Sequence, residues 1–244
     1  MNLLFVTSDV PSLQGEAVNR VNWELLDYFV DQGIKIFLLI IIDFRGKKFP
    51  SAEEEIWLTN LAQRRIHLVS IIDSQESTLL RNLSKRTYFH RYIKPREEVL
   101  YPWLTLETRV LDLVRKYDVD AIFQSWDRPG VAATNKVRGI PKYLYYGEPD
   151  HKPGATRVNQ ADRFGLARTS FAGRLNLFKT KRELKYIEKF HVRMVKNFDV
   201  VGCITYSNVL PYRNAGVKNV KYVPNIWTKP NRGLENQGNA TESG

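Results

Sequence analysis

Two acidic residues, Asp127 and Glu148, are the side chains best placed for acid–base chemistry in this sequence of 244 residues. Each comes shortly after a run of residues typical of a buried β-strand. A carboxylate in such a position can hydrogen-bond a substrate hydroxyl group or accept its proton. A helix cap or a solvated carboxylate explains the same residues, so both interpretations stay open.

Six further residues are candidates for binding a substrate. A glycine lets backbone amides come close to a phosphate or hydroxyl group, aromatic rings offer stacking surfaces, and an arginine can bind a phosphate. Ordinary turn, packing and surface roles explain the same residue types. The six are Asp9, Ser12, Gly15, Trp126, Tyr146 and Arg157.

Short apolar runs that alternate with amphipathic segments must position these candidates. Continuous apolar runs such as Ile36–Ile42 are typical of strands buried on both faces of a parallel sheet. The alternation predicts an α/β fold over residues 1–227, a doubly wound and mostly parallel sheet of about seven strands. Ligands bind such sheets at the carboxyl ends of the strands, where most of the candidates lie. The predicted strands cover residues 3–6, 34–42, 66–72, 118–123, 142–146, 199–205 and 219–223.

Two segments lack this pattern. Residues 151–175 have little periodicity and many polar side chains, which predicts a long loop before a basic helix at 178–198. Residues 228–244 carry no recurring apolar residue, which predicts a disordered tail or a shortened linker.

The net charge of +11 indicates an anionic partner. Residues 74–103 mix basic side chains with leucines and aromatics, which suits contact with an anionic membrane. A helix packed on the sheet with a solvated basic face explains the same stretch. Nucleic acid is the least favoured partner, because no recognition motif accompanies the charge. The predicted membrane or anion contacts are Arg81, Lys85, Arg86, Arg91 and Lys94.

The sequence also argues against several classes of protein. Its longest apolar run has seven residues, too few to span a bilayer, and no basic residue precedes the first apolar run. We therefore expect a cytoplasmic protein that is peripheral at the inner face of a membrane. The single cysteine, Cys203, lies in an apolar run typical of the core. The four histidines are scattered without metal-site spacing, so we predict no metal site, and no motif implies a cofactor.

Several segments in order along the chain resemble the N-terminal, acceptor-side domain of GT-B glycosyltransferases, especially family 4. The first strand and loop, Met1–Pro11, and the helix and strand of 18–36 resemble the start of that domain. The most specific match is the end, where Phe198–Ser207 and Ala215–Asn225 resemble the segment that closes it.

The resemblance implies a Rossmann-like domain that helps to transfer a sugar from a nucleotide-sugar to a glycan or lipid-linked acceptor, as in polysaccharide biosynthesis. It places Asp127 and Glu148 near the reacting hydroxyl and Trp126 and Tyr146 beside a sugar ring. The donor would need a C-terminal domain that is missing here or a separate subunit, so we expect the isolated chain to be inactive.

The chain departs from that family at its first loop and after its predicted fourth and fifth strands. Gly15 is the one glycine of the first loop, and neither Ser125-Trp126-Asp127 nor Tyr146-Gly147-Glu148 contains the histidine common in relatives. The alternative is a non-catalytic membrane- or partner-binding module derived from such a domain.

Overall fold

The computed structural model describes residues 1–13, 17–42, 51–73, 97–125, 128–146, 151–165 and 170–224. The predicted tail at 228–244 lies outside these ranges, so the predicted domain boundary stays a prediction.

Seven parallel strands form one sheet within the described residues, in the order β3-β2-β1-β4-β5-β6-β7. They are β1 (Asn2–Thr7), β2 (Lys35–Ile42), β3 (His67–Asp73), β4 (Ala121–Ser125), β5 (Lys142–Tyr146), β6 (Val200–Cys203) and β7 (Val220–Tyr222). The predicted doubly wound α/β fold is thereby confirmed. Parallel pairing throughout requires a crossover between successive strands, which the intervening segments supply.

Helices cover both faces of the sheet. The described helices are α1 (Ala17–Asp31), α2 (Ser51–Gln63), α3 (Glu97–Leu100), α4 (Glu107–Lys116), α5 (Arg128–Ala133), α6 (His151–Arg163), α7 (Phe171–Val195) and α8 (Tyr206–Asn214), with a 3₁₀ helix at Pro102–Leu106. Helices α1 and α2 pack on one face, and α4, α5, α7 and α8 contribute to the core on the other.

The alternation of side chains along β1 divides the core into two layers. Leu3 and Phe5 belong to the layer under α1 and α2, whereas Leu4 and Val6 belong to the opposite layer. All four are at most 4% exposed. Continuous apolar runs in the central strands therefore reflect burial on both faces, since successive side chains point to opposite sides of a strand.

Two glycines end helices. Gly33 after α1 and Gly216 after α8 have φ angles of 71° and 78°. This left-handed conformation strains residues that carry a Cβ atom, so glycine is favoured there.

The prediction of a long loop at residues 151–175 is wrong. The chain forms α6 and then begins α7 at Phe171, seven residues earlier than predicted. The two helices pack against each other as a hairpin, with Gly154 against Leu184. Because α6 buries little except Val158, its sequence lacks the broad apolar stripe on which helix prediction depends.

The start of β4 also differs from the prediction. The strand begins at Ala121 rather than Asp118, because Asp118 adopts a φ of 48° in the turn after α4. The Asn2 side chain donates a hydrogen bond of 2.9 Å to the Asp118 carbonyl and so ties this turn to β1.

None of the helices in the described ranges combines the length and apolar content needed to cross a membrane.

Candidate functional site

The carboxyl ends of β1 and β4 meet at the centre of the sheet. These strands pair from Leu3 with Ala121 to Val6 with Gln124. Beyond β1 the chain continues outward through β2 and β3, and it then returns to the other side of β1 as β4. The order of strands thus reverses between β1 and β4, which is where open α/β sheets form a ligand crevice.

A buried network of hydrogen bonds joins the ends of these strands to α1. Asn22 donates a bond of 2.9 Å to the Thr7 hydroxyl, and the Ser125 hydroxyl donates to the Asn22 side-chain oxygen. All three residues are fully buried. Thr7 also exchanges hydrogen bonds of 3.2 Å with the backbone of Asp9. The network fixes the strand ends with neutral groups, so no charge is buried without a partner.

Hydrogen bonds from two side chains hold the loop between β1 and α1. Asn19 donates to the Val10 carbonyl at 2.8 Å, and the Trp57 indole donates to the Pro11 carbonyl at 2.7 Å. The Ser12 amide donates to the Asn19 carbonyl at 3.1 Å. This part of the loop is therefore positioned before any ligand binds.

Ser8 is the first residue after β1, and its hydroxyl oxygen is buried. No hydrogen-bond partner for this oxygen exists among the residues that the structure describes. A buried hydroxyl group without a partner is costly, and a ligand or water at the crevice would satisfy it. Ser8 is thus a candidate ligand contact at the switch point, the place between β1 and β4 where the order of strands reverses.

At the carboxyl end of β4, helix α5 packs closely against the strand. The Gln124 amide lies so near Gly130 of α5 that a Cβ atom on Gly130 would come within 2.0 Å of it. Gln124 itself donates a bond of 3.1 Å to the Ser125 carbonyl. Helix α5 therefore approaches the end of β4 through a glycine, and most of its residues are buried.

Two cations near this edge are engaged with neighbouring groups. The Arg128 guanidinium lies 5.6 Å from the ring centroid of Tyr101 and 5.8 Å from that of Trp103. Lys152, in the first turn of α6, hydrogen-bonds the buried side-chain oxygen of Asn208 on α8. The lysine contact links the segments that follow β5 and β6.

Cys203, the last residue of β6, is 1% exposed. Burial raises the pKa of its thiol to about 11, although Lys152 and Arg213 act in the opposite direction. The group is therefore a neutral core thiol at physiological pH, as its apolar neighbours predicted, and is not a nucleophile.

Four of the predicted site residues lie outside the described residues: Gly15, Trp126, Asp127 and Glu148. The strands that precede Asp127 and Glu148 are neighbours, with Ser125 paired to Tyr145. The roles assigned to all four stay predictions. The five predicted membrane or anion contacts, Arg81, Lys85, Arg86, Arg91 and Lys94, also lie outside the described residues.

The structure brings Asp9 and Ser12 to the predicted edge of the sheet, where both are half-buried in the loop after β1. Tyr146 is the last residue of β5, and its backbone lies at the same edge. Arg157 is exposed in the middle of α6, in a helix rather than the predicted loop. Within the described residues, no cluster of three or more potential metal ligands occurs.

The sequence interpretation missed four residues at this strand edge: Thr7, Asn22 and Ser125 of the buried network, and Ser8. One signal was present, because Asn22 occupies a position on the buried face of α1 between apolar neighbours. A buried amide at such a position needs hydrogen-bond partners. Which partners it finds depends on the order of the strands, which local patterns do not encode.

No protein-family model matches the sequence, and no curated protein matches it. Solved structures do match. They include UGT2 from Phytolacca americana, with 12% identity and a TM-score of 0.47 over 93% of this chain and 53% of that one. A glycosyltransferase from Rickettsia africae ESF-5 has 12% identity and a TM-score of 0.38 over 91% and 42%. The glycotransferase of kitacinnamycin has 11% identity and a TM-score of 0.43 over 95% and 53%.

The chain spans about half the length of these structures. The likeness to these structures is one of fold alone. A second structure of UGT2 is complexed with UDP-2fluoro-glucose and pterostilbene.

Proposed function

We propose that this chain forms the acceptor-binding half of a glycosyltransferase, which moves a sugar from a nucleotide-sugar to a glycan or lipid-linked acceptor. One observation carries the proposal: the switch point between β1 and β4 is built from neutral hydroxyl and amide groups, with the buried Ser8 hydroxyl left to bond a ligand. A hydroxyl group in the position of Ser8 can hydrogen-bond a hydroxyl of a sugar without requiring a charge on it.

In the proposed reaction, an acceptor hydroxyl oxygen forms a bond to the anomeric carbon of the donor sugar. The bond from that carbon to the nucleotide phosphate breaks, and the acceptor proton passes to a carboxylate. Asp127 and Glu148, which follow β4 and β5 in the sequence, are the proposed carboxylates. A second, nucleotide-binding half would stabilise the departing diphosphate.

We place this half-enzyme in the cytoplasm, peripheral at the inner face of a membrane.

Saturation-transfer NMR with the purified chain and a panel of methyl glycosides tests the acceptor site. We expect at least one glycoside to bind, and Ser8→Ala to weaken its binding by about threefold to tenfold, the worth of one neutral hydrogen bond.

Ser170→Ala is the matched control, because Ser170 caps α7 by accepting from Gly173 at 3.0 Å and takes no part in the strand edge. It should leave glycoside binding unchanged. If no glycoside binds, or if Ser8→Ala and Ser170→Ala have the same effect on binding, the acceptor proposal is wrong. The alternative of a non-catalytic membrane- or partner-binding module is then favoured.

A further inference from the structure

Helix α7 contacts the core through its C-terminal part alone. Its 25 residues give a length of about 37 Å, whereas the four residues of β6 span about 13 Å. The buried residues of α7 are Ile187, His191, Met194 and Val195. The first half of the helix therefore extends past the region in which α7 packs on the sheet.

One face of α7 points away from the core along its whole length. At 100° per residue, Phe171, Leu175 and Phe178 share this face, and Arg182, Lys185 and Lys189 continue it. The buried residues lie on the opposite side of the helix. We call these six outward residues the α7 stripe.

The two halves of the α7 stripe differ in chemistry. Its first half is apolar and open to solvent, with Phe171 83% and Phe178 60% exposed. Phe164, at the turn between α6 and α7, adds a third phenylalanine that is 69% exposed. The second half is basic, with Lys185 and Lys189 exposed and Arg182 half-buried. It lines a cleft of about 800 Å³ together with Phe178, Lys181, Tyr186 and Glu188.

Helix α6 leaves the stripe uncovered. It packs on the side of α7 that carries Leu184, and Asp162 near its end forms an ion pair of 2.7 Å with Lys181. The described residues of the hairpin, 151–165 and 170–195, contain ten lysines and arginines against three acidic residues. A strong positive charge therefore surrounds a set of exposed phenylalanines.

We propose that the α7 stripe docks on the surface of an anionic membrane. The phenylalanines would enter the boundary between headgroups and acyl chains, and the basic half would contact lipid phosphates. Charge complementarity selects an anionic surface, and three exposed phenylalanines beside basic side chains suit the boundary between lipid headgroups and acyl chains. This surface differs from residues 81–94, which the sequence singled out, and it does not depend on the proposed transferase activity.

Co-sedimentation of the full 244-residue chain with vesicles tests the proposal. We expect binding to phosphatidylcholine vesicles that contain about a third phosphatidylglycerol, weak binding to pure phosphatidylcholine, and loss of binding as NaCl rises from about 50 mM to about 500 mM. The double variant Phe171→Ser/Phe178→Ser should lower the partition coefficient by about tenfold or more. Lys185→Glu/Lys189→Glu should lower it by a similar factor.

Matched controls change exposed residues elsewhere. Tyr28→Ser/Ile56→Ser removes two apolar groups that are 58% and 66% exposed, and Arg115→Glu/Lys218→Glu makes the same change in net charge as the lysine pair. Both should keep full binding, and thermal unfolding should show that all variants remain folded.

The proposal is overturned if the wild type does not bind anionic vesicles, or if the controls lose as much binding as the stripe variants. It also fails if Arg81→Glu/Lys85→Glu abolishes binding while both stripe variants retain it, since residues 81–94 would then be the contact. Salt-sensitive binding to a single-stranded oligonucleotide without vesicle binding would assign the basic surface to nucleic acid instead.

Discussion

Asn22 connects two strand ends that are far apart in sequence. Its amide bonds Thr7 and Ser125, which are separated by more than a hundred residues, and no solvent reaches any of the three. The carboxyl ends of β1 and β4 are therefore held together by a side chain of α1 as well as by the pairing of the strands.

Replacing Asn22 with alanine should lower the free energy of unfolding by about 2–3 kcal/mol, because two buried hydroxyl groups lose a partner. Urea denaturation measures the change. Asn176→Ala, on an exposed position of α7, should change stability by no more than about 0.5 kcal/mol. Equal effects of the two substitutions would show that the network contributes little.

Lys142 is a buried cation at the opposite end of the sheet. It is 3% exposed, donates to the Thr134 carbonyl at 3.3 Å and lies 5.0 Å from the centroid of the Phe198 ring. Burial lowers the pKa of its ammonium group from 10.5 to about 8, and nearby Arg138 adds to this, while Asp199 and Glu107 oppose it.

This shift makes stability depend on pH. Between about pH 8 and 10.5, the unfolded chain holds a proton that the folded chain has lost, so the free energy of unfolding rises with pH. Below about pH 8 both states are protonated, and the cost of burying the charge is constant.

Relative to Lys142→Met, the wild type should gain about 2–3 kcal/mol of stability between about pH 7.5 and 10.5, measured by urea denaturation. Lys35→Met controls for the loss of a positive charge, because Lys35 is the exposed first residue of β2 as Lys142 is the first of β5. A difference that stays constant with pH would mean that the folded protein accommodates the charged lysine without cost.

At the scale of elements, a row of stacked aromatic rings crosses three strands and reaches a glycine on the fourth. Phe5, Phe123 and Tyr143 stack across β1, β4 and β5 at centroid distances of 5.2 and 5.0 Å. The Tyr143 hydroxyl then extends over β6, where a Cβ atom on Gly202 would lie 2.6 Å from it. Because the stacked ring cannot swing aside freely, β6 needs a glycine at this position.

Gly202→Ala should therefore destabilise the protein by about 1–3 kcal/mol. Adding Tyr143→Phe removes the overlapping hydroxyl and should recover about 1 kcal/mol or more relative to the sum of the single effects. Chemical denaturation of the four proteins in this cycle measures the coupling. Additive effects would indicate that the clash is relieved elsewhere, for example at Val223, whose Cγ2 would lie 3.1 Å from the new methyl group.

At the scale of the whole molecule, the described chain provides one wall of the proposed reaction site. At the β1–β4 edge, Thr7, Asn22 and Ser125 are neutral, and the nearby cations Arg128 and Lys152 already contact protein groups. Transfer from a nucleotide-sugar requires stabilisation of a leaving diphosphate.

We therefore predict that the purified chain alone transfers no detectable sugar from UDP-glucose to the glycosides it binds. A radiometric transfer assay checks this. Repeated turnover by the chain alone, abolished by Ser8→Ala but not by Ser170→Ala, would show instead that this half is catalytically sufficient.

Local patterns in the sequence were enough to predict the alternation of strands and helices, the buried central strands, and the strand edge where Asp9 and Ser12 lie. These features follow from side-chain periodicity, which acts over a few residues. The segment 151–175 was mispredicted because α6 gains its stability from α7 rather than from a broad apolar stripe of its own.

Only the tertiary structure decided which distant residues meet. The placement of β4 beside β1 joins Thr7 and Ser125 through Asn22, and the packing of α7 by its C-terminal part leaves Phe171 and Phe178 facing solvent. Sequence periodicity identifies an apolar side chain but not whether the fold covers it, because burial depends on elements that are distant along the chain.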